Sequence, residues 1–153
     1  MPTPTTTFTL ASTAFAEGGT IPREYTCQGA DTSPPLLWEG TPTGTLLYLL
    51  IVEDLDASNF VHWTIRIEGT DGDLPPAISP DSQTDIQGVN GFGRRGWGGP
   101  CPPSGTHRYR FTLYALGSGI DLSATPTISE VRTGLANATI LATTELTGTY
   151  RKT

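Results

Sequence analysis

Gly98-Gly99-Pro100-Cys101-Pro102-Pro103-Ser104-Gly105-Thr106-His107-Arg108-Tyr109-Arg110-Phe111-Thr112-Leu113-Tyr114-Ala115-Leu116 changes character at its middle. The first half is dominated by glycine and proline, the residues of fixed turns. The second half reads as a strand. His107, Tyr109, Phe111, Leu113 and Ala115 fall on one face of an extended chain, because side chains alternate with a period of two. A stiff loop therefore delivers an imidazole to the end of a half-buried strand. That is a way to build a small, pre-formed site.

The chain holds two histidines. The other, His62, opens the alternating run Val61 to Glu68. Val61, Trp63, Ile65 and Ile67 face one way, which puts His62 off the main apolar face. Upstream, Leu46 to Val52 is a near-continuous apolar run, as expected of a central strand buried on both faces. It ends in the acidic turn Asp54-Leu55-Asp56-Ala57-Ser58. Phe8 to Ala14 reads as a first strand and Gly18 to Ser33 as a loop. Ser33-Pro34-Pro35-Leu36-Leu37-Trp38 leads into a second strand, with its prolines at the start or edge. Gly69 to Thr106 lacks periodicity and reads as a long ordered loop. Thr127-Ile128-Ser129-Glu130 fits a capping box. It predicts a helix with Val131, Leu135, Ala138 and Ala142 on one face, followed by a short closing strand from Glu145 to Tyr150.

These elements fit one mainly β domain over 8–153, with a flexible tail over 1–7. A chain of 153 residues is long enough for a substantial core. The net charge of −6, a single lysine (Lys152) and the lack of a basic stripe argue against a nucleic-acid partner. No stretch is long and apolar enough to span a bilayer. The N-terminus lacks a basic region followed by an apolar core, so a cytoplasmic location is expected. Cys27 and Cys101 read most simply as two partly buried thiols. A disulfide is the alternative, and it requires Cα atoms within about 7 Å.

If the strand ends meet, the site gathers Asp54, Asp56, His62, His107 and Tyr109, with backbone N–H groups from Gly98 and Gly99. Imidazoles and N–H groups suit a small anion. A carboxylate beside them would orient an imidazole or meet the cationic end of the same ligand. Two rival readings use the same residues. Two histidines and a carboxylate can bind a metal, but no close His-x-His or His-Glu-x-x-His spacing occurs. Ser104 or Ser33 with His107 and Asp54 could form a hydrolase triad, but no Gly-x-Ser-x-Gly elbow occurs. Neither a cofactor nor turnover is expected.

The set of motifs, in order, resembles the phosphatidylethanolamine-binding protein family, in its bacterial and archaeal branch of Raf-kinase-inhibitor-like proteins. The motifs are Ile21-Pro22, Tyr25-Thr26-Cys27, Ser33-Pro34-Pro35-Leu36, Asp54-Leu55-Asp56-Ala57, His62-Trp63, Gly98-Gly99-Pro100-Cys101-Pro102-Pro103, His107-Arg108-Tyr109 and Leu146-Thr147-Gly148-Thr149-Tyr150. The resemblance implies an antiparallel β-sandwich with one or two short helices, one near the C-terminus. It also implies a pocket for phosphate-like or phosphoethanolamine-like head groups, built here from Asp54, Ala57, His62, Pro102, His107 and Tyr109 with Phe60 as a wall. Relatives that inhibit kinases or serine proteases suggest an alternative: a protein-interaction role through a rim of Phe92, Arg94, Arg95 and Trp97. A homodimer through the sandwich edges is open. Two departures stand out. The usual Asp-Pro-Asp-Ala-Pro turn has lost both prolines here, so a looser turn is expected. Trp97 stands where a tyrosine is common.

Overall fold

The computed structural model describes residues 7–69, 72–82 and 85–153. The tail expected at the N-terminus lies almost wholly outside the described residues. Two antiparallel sheets face each other. The smaller has three strands: β1 (Thr9–Ala11), β2 (Leu36–Glu39) and β5 (Asp73–Leu74), in the order β1-β2-β5. The larger has five: β3 (Leu47–Asp54), β4 (Phe60–Glu68), β6 (Ile86–Gln87), β7 (Thr106–Leu116) and β8 (Ile140–Arg151), in the order β6-β4-β3-β7-β8. The apolar run in β3 is at the centre of that sheet, and every one of its residues is buried.

Two apolar layers follow from this position. Trp38, Tyr48, Leu50, Val52, Trp63, Ile65, Phe111 and Leu113 fill the space between the sheets. On the outer face, Leu49, Ile51, Val61 and Leu116 pack under Val131 of helix α1 (Ile128–Ala136). Thr127 caps this helix as the sequence predicts, its Oγ1 accepting from the Glu130 N–H at 3.1 Å. The Glu130 carboxylate turns instead to Ser123, accepting from its hydroxyl at 3.0 Å, so the reciprocal half of the capping box is absent.

Three expectations are corrected by pairing that a single sequence does not display. The helix stops at Ala136, and Ala142 belongs to β8, which pairs with β7 from Ile140 onward. β8 is therefore twelve residues long. Its weak apolar pattern reflects an edge strand with one solvated face. The segment read as one long loop contains β5 and β6 and a bridge between Val89 and Arg95. The first strand is short, Thr9–Ala11 only. Residues 23–25 within the early loop form a single 3-10 turn.

The remaining correction bears on the site. In the β3–β4 ladder Val52 faces Trp63, but Glu53 faces Val61, so His62 is the extra residue of a bulge. The bulge reverses the alternation. Val61 joins the layer under the helix while Trp63 stays in the inter-sheet layer. His62 thus turns toward the same side as Tyr109, whose ring centroid is 5.2 Å away in an edge-on contact. The expected placement of His62 off the apolar face is wrong for this physical reason.

Candidate functional site

At one end of the sandwich, the last residue of β3 pairs with Phe60 on one side and Tyr109 on the other. That residue is Asp54, only 4 % exposed. Register alone therefore places Asp54, Phe60 and Tyr109 in one row across three strands. The bulge adds His62 to the same face, and His107 lies two residues before Tyr109 on the same strand face.

Asp54 is held at both oxygens. Oδ1 accepts from the Asp56 N–H at 2.8 Å, and Oδ2 is 2.7 Å from His107 Nδ1. The turn that follows keeps its shape without the two prolines. Leu55 N–H donates to the Arg108 carbonyl at 2.8 Å, and Ser58 and Asn59 take positive φ angles of 53° and 59°. The expected looseness at this turn is thus answered by hydrogen bonds that fix Asp54.

The two histidines are fixed differently. His107 is tethered to a carboxylate. His62, 3 % exposed, has its Nδ1 2.6 Å from the Gly98 carbonyl oxygen. Burial lowers the His62 pKa, partly opposed by that carbonyl and by the charge of Asp54. The ring is therefore neutral at pH 7 and donates from Nδ1. Both rings keep Nε2 as the nitrogen left for a ligand.

Around these polar groups the walls are apolar. Phe60 and Phe92 meet edge-on at 4.8 Å, and Pro102, Pro103 and Cys101 close the opposite side. Together with Ala57 they enclose a pocket of about 150 Å³. Asp54, His62 and His107 are its ionisable lining, and no lysine or arginine lines it. A glycine is required at two points of this wall. A Cβ at Gly91 would lie 2.5 Å from the Phe60 ring, and one at Gly98 2.6 Å from the Phe92 ring.

Of the residues read from the sequence, Asp54, Ala57, Phe60, His62, Pro102 and His107 converge on this pocket. The other four do not line it. Asp56 is bound to Arg108, accepting from its backbone N–H at 2.8 Å, from Nε at 3.1 Å and from an Nη at 3.0 Å. Those bonds hold its pKa down at about 2, and they fasten the turn to β7. Gly98 N–H donates to the His62 carbonyl at 3.0 Å and Gly99 N–H to Asp31 Oδ1 at 2.8 Å. Neither N–H is free for an anion, and the role of Gly98 is to orient His62 through its carbonyl. Tyr109, 1 % exposed, lies beneath the pocket. Its hydroxyl is buried without a hydrogen-bond partner among the described residues, and burial with the nearby Asp54 charge raises its pKa.

Phe92, read from the sequence as part of a rim, is a wall of the pocket itself, and Cys101 and Pro103 are pocket residues that sequence reasoning missed. Asn90-Gly91-Phe92-Gly93 was the available signal for the first. Asn90 is buried and its Oδ1 accepts from the Phe92 N–H at 2.9 Å, which sets the loop that aims Phe92 at the pocket. Cys101 is there because it is bonded to Cys27, with Cα atoms 5.5 Å apart. The reading of two thiols is therefore corrected: the two loops converge and the alternative, a disulfide, is what forms.

The model of the family described as phosphatidylethanolamine-binding protein matches residues 11–151. The chain belongs to that family. The resemblance read from the motifs is thereby shown, and so is the fold it implied. The UPF0098 protein of Methanothermobacter thermautotrophicus is 39 % identical over 151 residues, covering 94 % of this chain and 98 % of that protein. A protein of Mycobacterium tuberculosis named, provisionally, lipoprotein LppC is 40 % identical over 138 residues, covering 85 % of this chain and 66 % of its own. Among solved structures, the phosphatidylethanolamine-binding protein homologue CT736 of Chlamydia trachomatis superposes with a TM-score of 0.86 at 33 % identity, covering 95 % of this chain and 98 % of that one. Among its described residues, this phosphatidylethanolamine-binding protein family member has no helix long and apolar enough to cross a membrane.

Proposed function

We propose that this protein is a non-catalytic binding module whose pocket takes a phosphate-like or phosphoethanolamine-like head group. The observation that carries this reading is the convergence of the Asp54–His107 pair and His62 on one small apolar-walled pocket. Lacking lysine and arginine, the pocket is poorly suited to a bare dianion beside a buried carboxylate. It suits a ligand that brings its own proton or amine. A monoanionic phosphate ester can donate its P–O–H to Nε2 of neutral His62, beside Nε2 of His107. A tethered ammonium group would offset the charge of Asp54. Binding of an anion raises the His62 pKa by supplying the countercharge that burial withholds.

The rival reading of a Ser-His-Asp triad is disfavoured by the placement of the hydroxyls it would need. Ser33 lines a different groove and its Oγ accepts from the Ile78 N–H at 3.0 Å, and Ser104 is not among the residues lining the pocket. As to compartment, the cytoplasmic location expected from the N-terminus is opposed by the Cys27–Cys101 disulfide, since such bonds persist in oxidising surroundings. A relative named as a lipoprotein points the same way. We therefore favour an oxidising compartment, and a thiol count on protein denatured without reductant tests it. Finding no free thiol in freshly isolated protein supports this placement, and two free thiols overturn it.

Calorimetric titration with phosphoethanolamine tests the head-group reading. Saturable binding by the wild type, weakened at least tenfold in His107→Asn, is expected. Equal affinity in the two proteins would place the ligand elsewhere.

A further inference from the structure

The rim read from the sequence as one surface divides in two. Phe92 lines the histidine pocket, whereas Arg94, Arg95 and Trp97 line a separate groove of about 450 Å³ bounded opposite by Ile78, Ser79 and Pro80. The groove is three times the volume of the pocket and has the opposite character. It carries two guanidinium groups and no imidazole.

Half of the eight arginines in this chain are held in ion pairs among the described residues, and these two are not. Fifteen acidic residues oppose nine basic ones, and Arg66, Arg108, Arg110 and Arg132 each form an ion pair with a glutamate or aspartate. Among the described residues neither Arg94 nor Arg95 has an acidic partner. The aspartate that shares the groove, Asp31, has its Oδ1 occupied by the Gly99 N–H. Arg95 Nε is buried without an acceptor. Arg94 is exposed, with its guanidinium carbon 5.7 Å from the centre of the Phe92 ring.

The loop that displays them is fixed in advance. The buried Asn90 donates from Nδ2 to the Gly96 carbonyl at 2.9 Å and from its backbone N–H to the Arg94 carbonyl at 2.7 Å. Gly96 N–H in turn donates to the Gly88 carbonyl at 3.0 Å. Little ordering entropy is left to lose on binding. Trp97 forms a wall and donates from Nε1 to the Tyr25 carbonyl at 3.1 Å, so its own polar atom is satisfied.

We propose that this groove docks an acidic segment of a protein partner, with Arg94 and Arg95 receiving its carboxylates. Guanidinium groups match carboxylates in geometry as well as charge. Ile78, Pro80 and Trp97 offer apolar contact for the backbone and stems of such a segment. Two arginines in an otherwise acidic molecule are too few for a nucleic acid, whose affinity grows with the number of phosphates neutralised. The inference does not rest on the head-group reading, because no residue lines both cavities.

The test is titration of the ¹⁵N-labelled full chain with hexaglutamate, followed at the Trp97 indole N–H and at both histidine rings. The indole signal is assigned with Trp97→Phe. A saturable shift of Trp97, with the histidine rings unmoved, is expected. It should weaken at least tenfold in Arg94→Gln/Arg95→Gln and fall with added salt. Arg94→Glu, a change at an exposed position, should abolish the hexaglutamate response. An unmoved Trp97, or one that responds equally in these variants, overturns the proposal. So does an equal response to hexalysine. An equal response to inorganic phosphate would make the groove a simple anion site, which also overturns it. Failure of phosphoethanolamine to bind would leave this result untouched.

Discussion

Two cavities of this molecule differ in size and in the chemistry of their walls. The groove of about 450 Å³ is larger and cationic. The pocket of about 150 Å³ has no basic side chain other than imidazole. Yet the pocket is where register, bulge and disulfide converge. Asp54 is fixed at both oxygens, His62 is fixed by a backbone carbonyl, and Cys101 is fixed by its bond to Cys27. A few polar groups held in place within apolar walls recognise a small ligand. Two free charges on the lip of a wide groove instead suit a longer, weaker contact.

The largest expected effect is loss of the disulfide, which spans 74 residues and ties the pocket wall to the loop beyond the 3-10 turn. The loop-entropy estimate for a closure of that length is about 4 kcal/mol. Cys27→Ser/Cys101→Ser should lose about that much in chemical denaturation, and head-group binding should weaken with it. A loss under about 1 kcal/mol would show that the remaining contacts between the loops suffice. Asp54→Asn comes next. Removing one charged partner from a buried pair costs about 2 kcal/mol. It should also abolish binding in the pocket while leaving the Arg94–Arg95 groove intact, which separates the two cavities directly.

A pH effect follows from His62. Its native pKa is depressed, so below pH ~6.5 the unfolded chain takes up a proton that the native chain resists. Stability should therefore fall as pH drops from ~6.5 toward the native pKa, with a slope of at most about 1.4 kcal/mol per pH unit for one proton. His62→Gln should flatten that segment. Asp56, depressed to about 2 by Arg108, has the same sign in a separate window: its contribution is complete above pH ~4 and is lost below it. Denaturation curves at closely spaced pH values resolve the two, and a curve flat between pH 6.5 and 4.5 would contradict the neutral, buried His62.

Two smaller effects sharpen the contrast. Tyr109 Oη lacks a partner among the described residues, so Tyr109→Phe should be neutral or stabilising by about 1 kcal/mol. A loss of that size would reveal a partner for the hydroxyl. Arg94→Gln/Arg95→Gln should change stability by no more than about 0.5 kcal/mol and leave phosphoethanolamine affinity unchanged.

Periodicity exposed the strands that pair fully and bury one face. The chain from His107 to Leu116 is the clearest case, since Tyr109, Phe111, Leu113 and Ala115 all enter the inter-sheet layer. It misled at His62, because a bulge there adds one residue and sends Val61 to the face opposite Trp63, Ile65 and Ile67, while their own assignment holds. It missed β5 and β6, two residues each, which are too short for any period to register. In the site, residue type identified the ionisable groups but not their partners. Asp54 and Asp56 look alike in sequence. Only the register of β3 against β7 sends the first to His107 and the second to Arg108. The backbone N–H groups of Gly98 and Gly99 were misjudged for a similar reason: their acceptors, the His62 carbonyl and Asp31, are distant in sequence.

The most direct test of the central claim follows the C–H resonances of His62 and His107 during titration with phosphoethanolamine and, separately, with inorganic phosphate. Both rings should shift together and saturably, and the pKa of His62 should rise in the bound state. If neither ring responds up to millimolar concentrations of either compound, the pocket does not bind head groups of this class, and the proposed function is wrong.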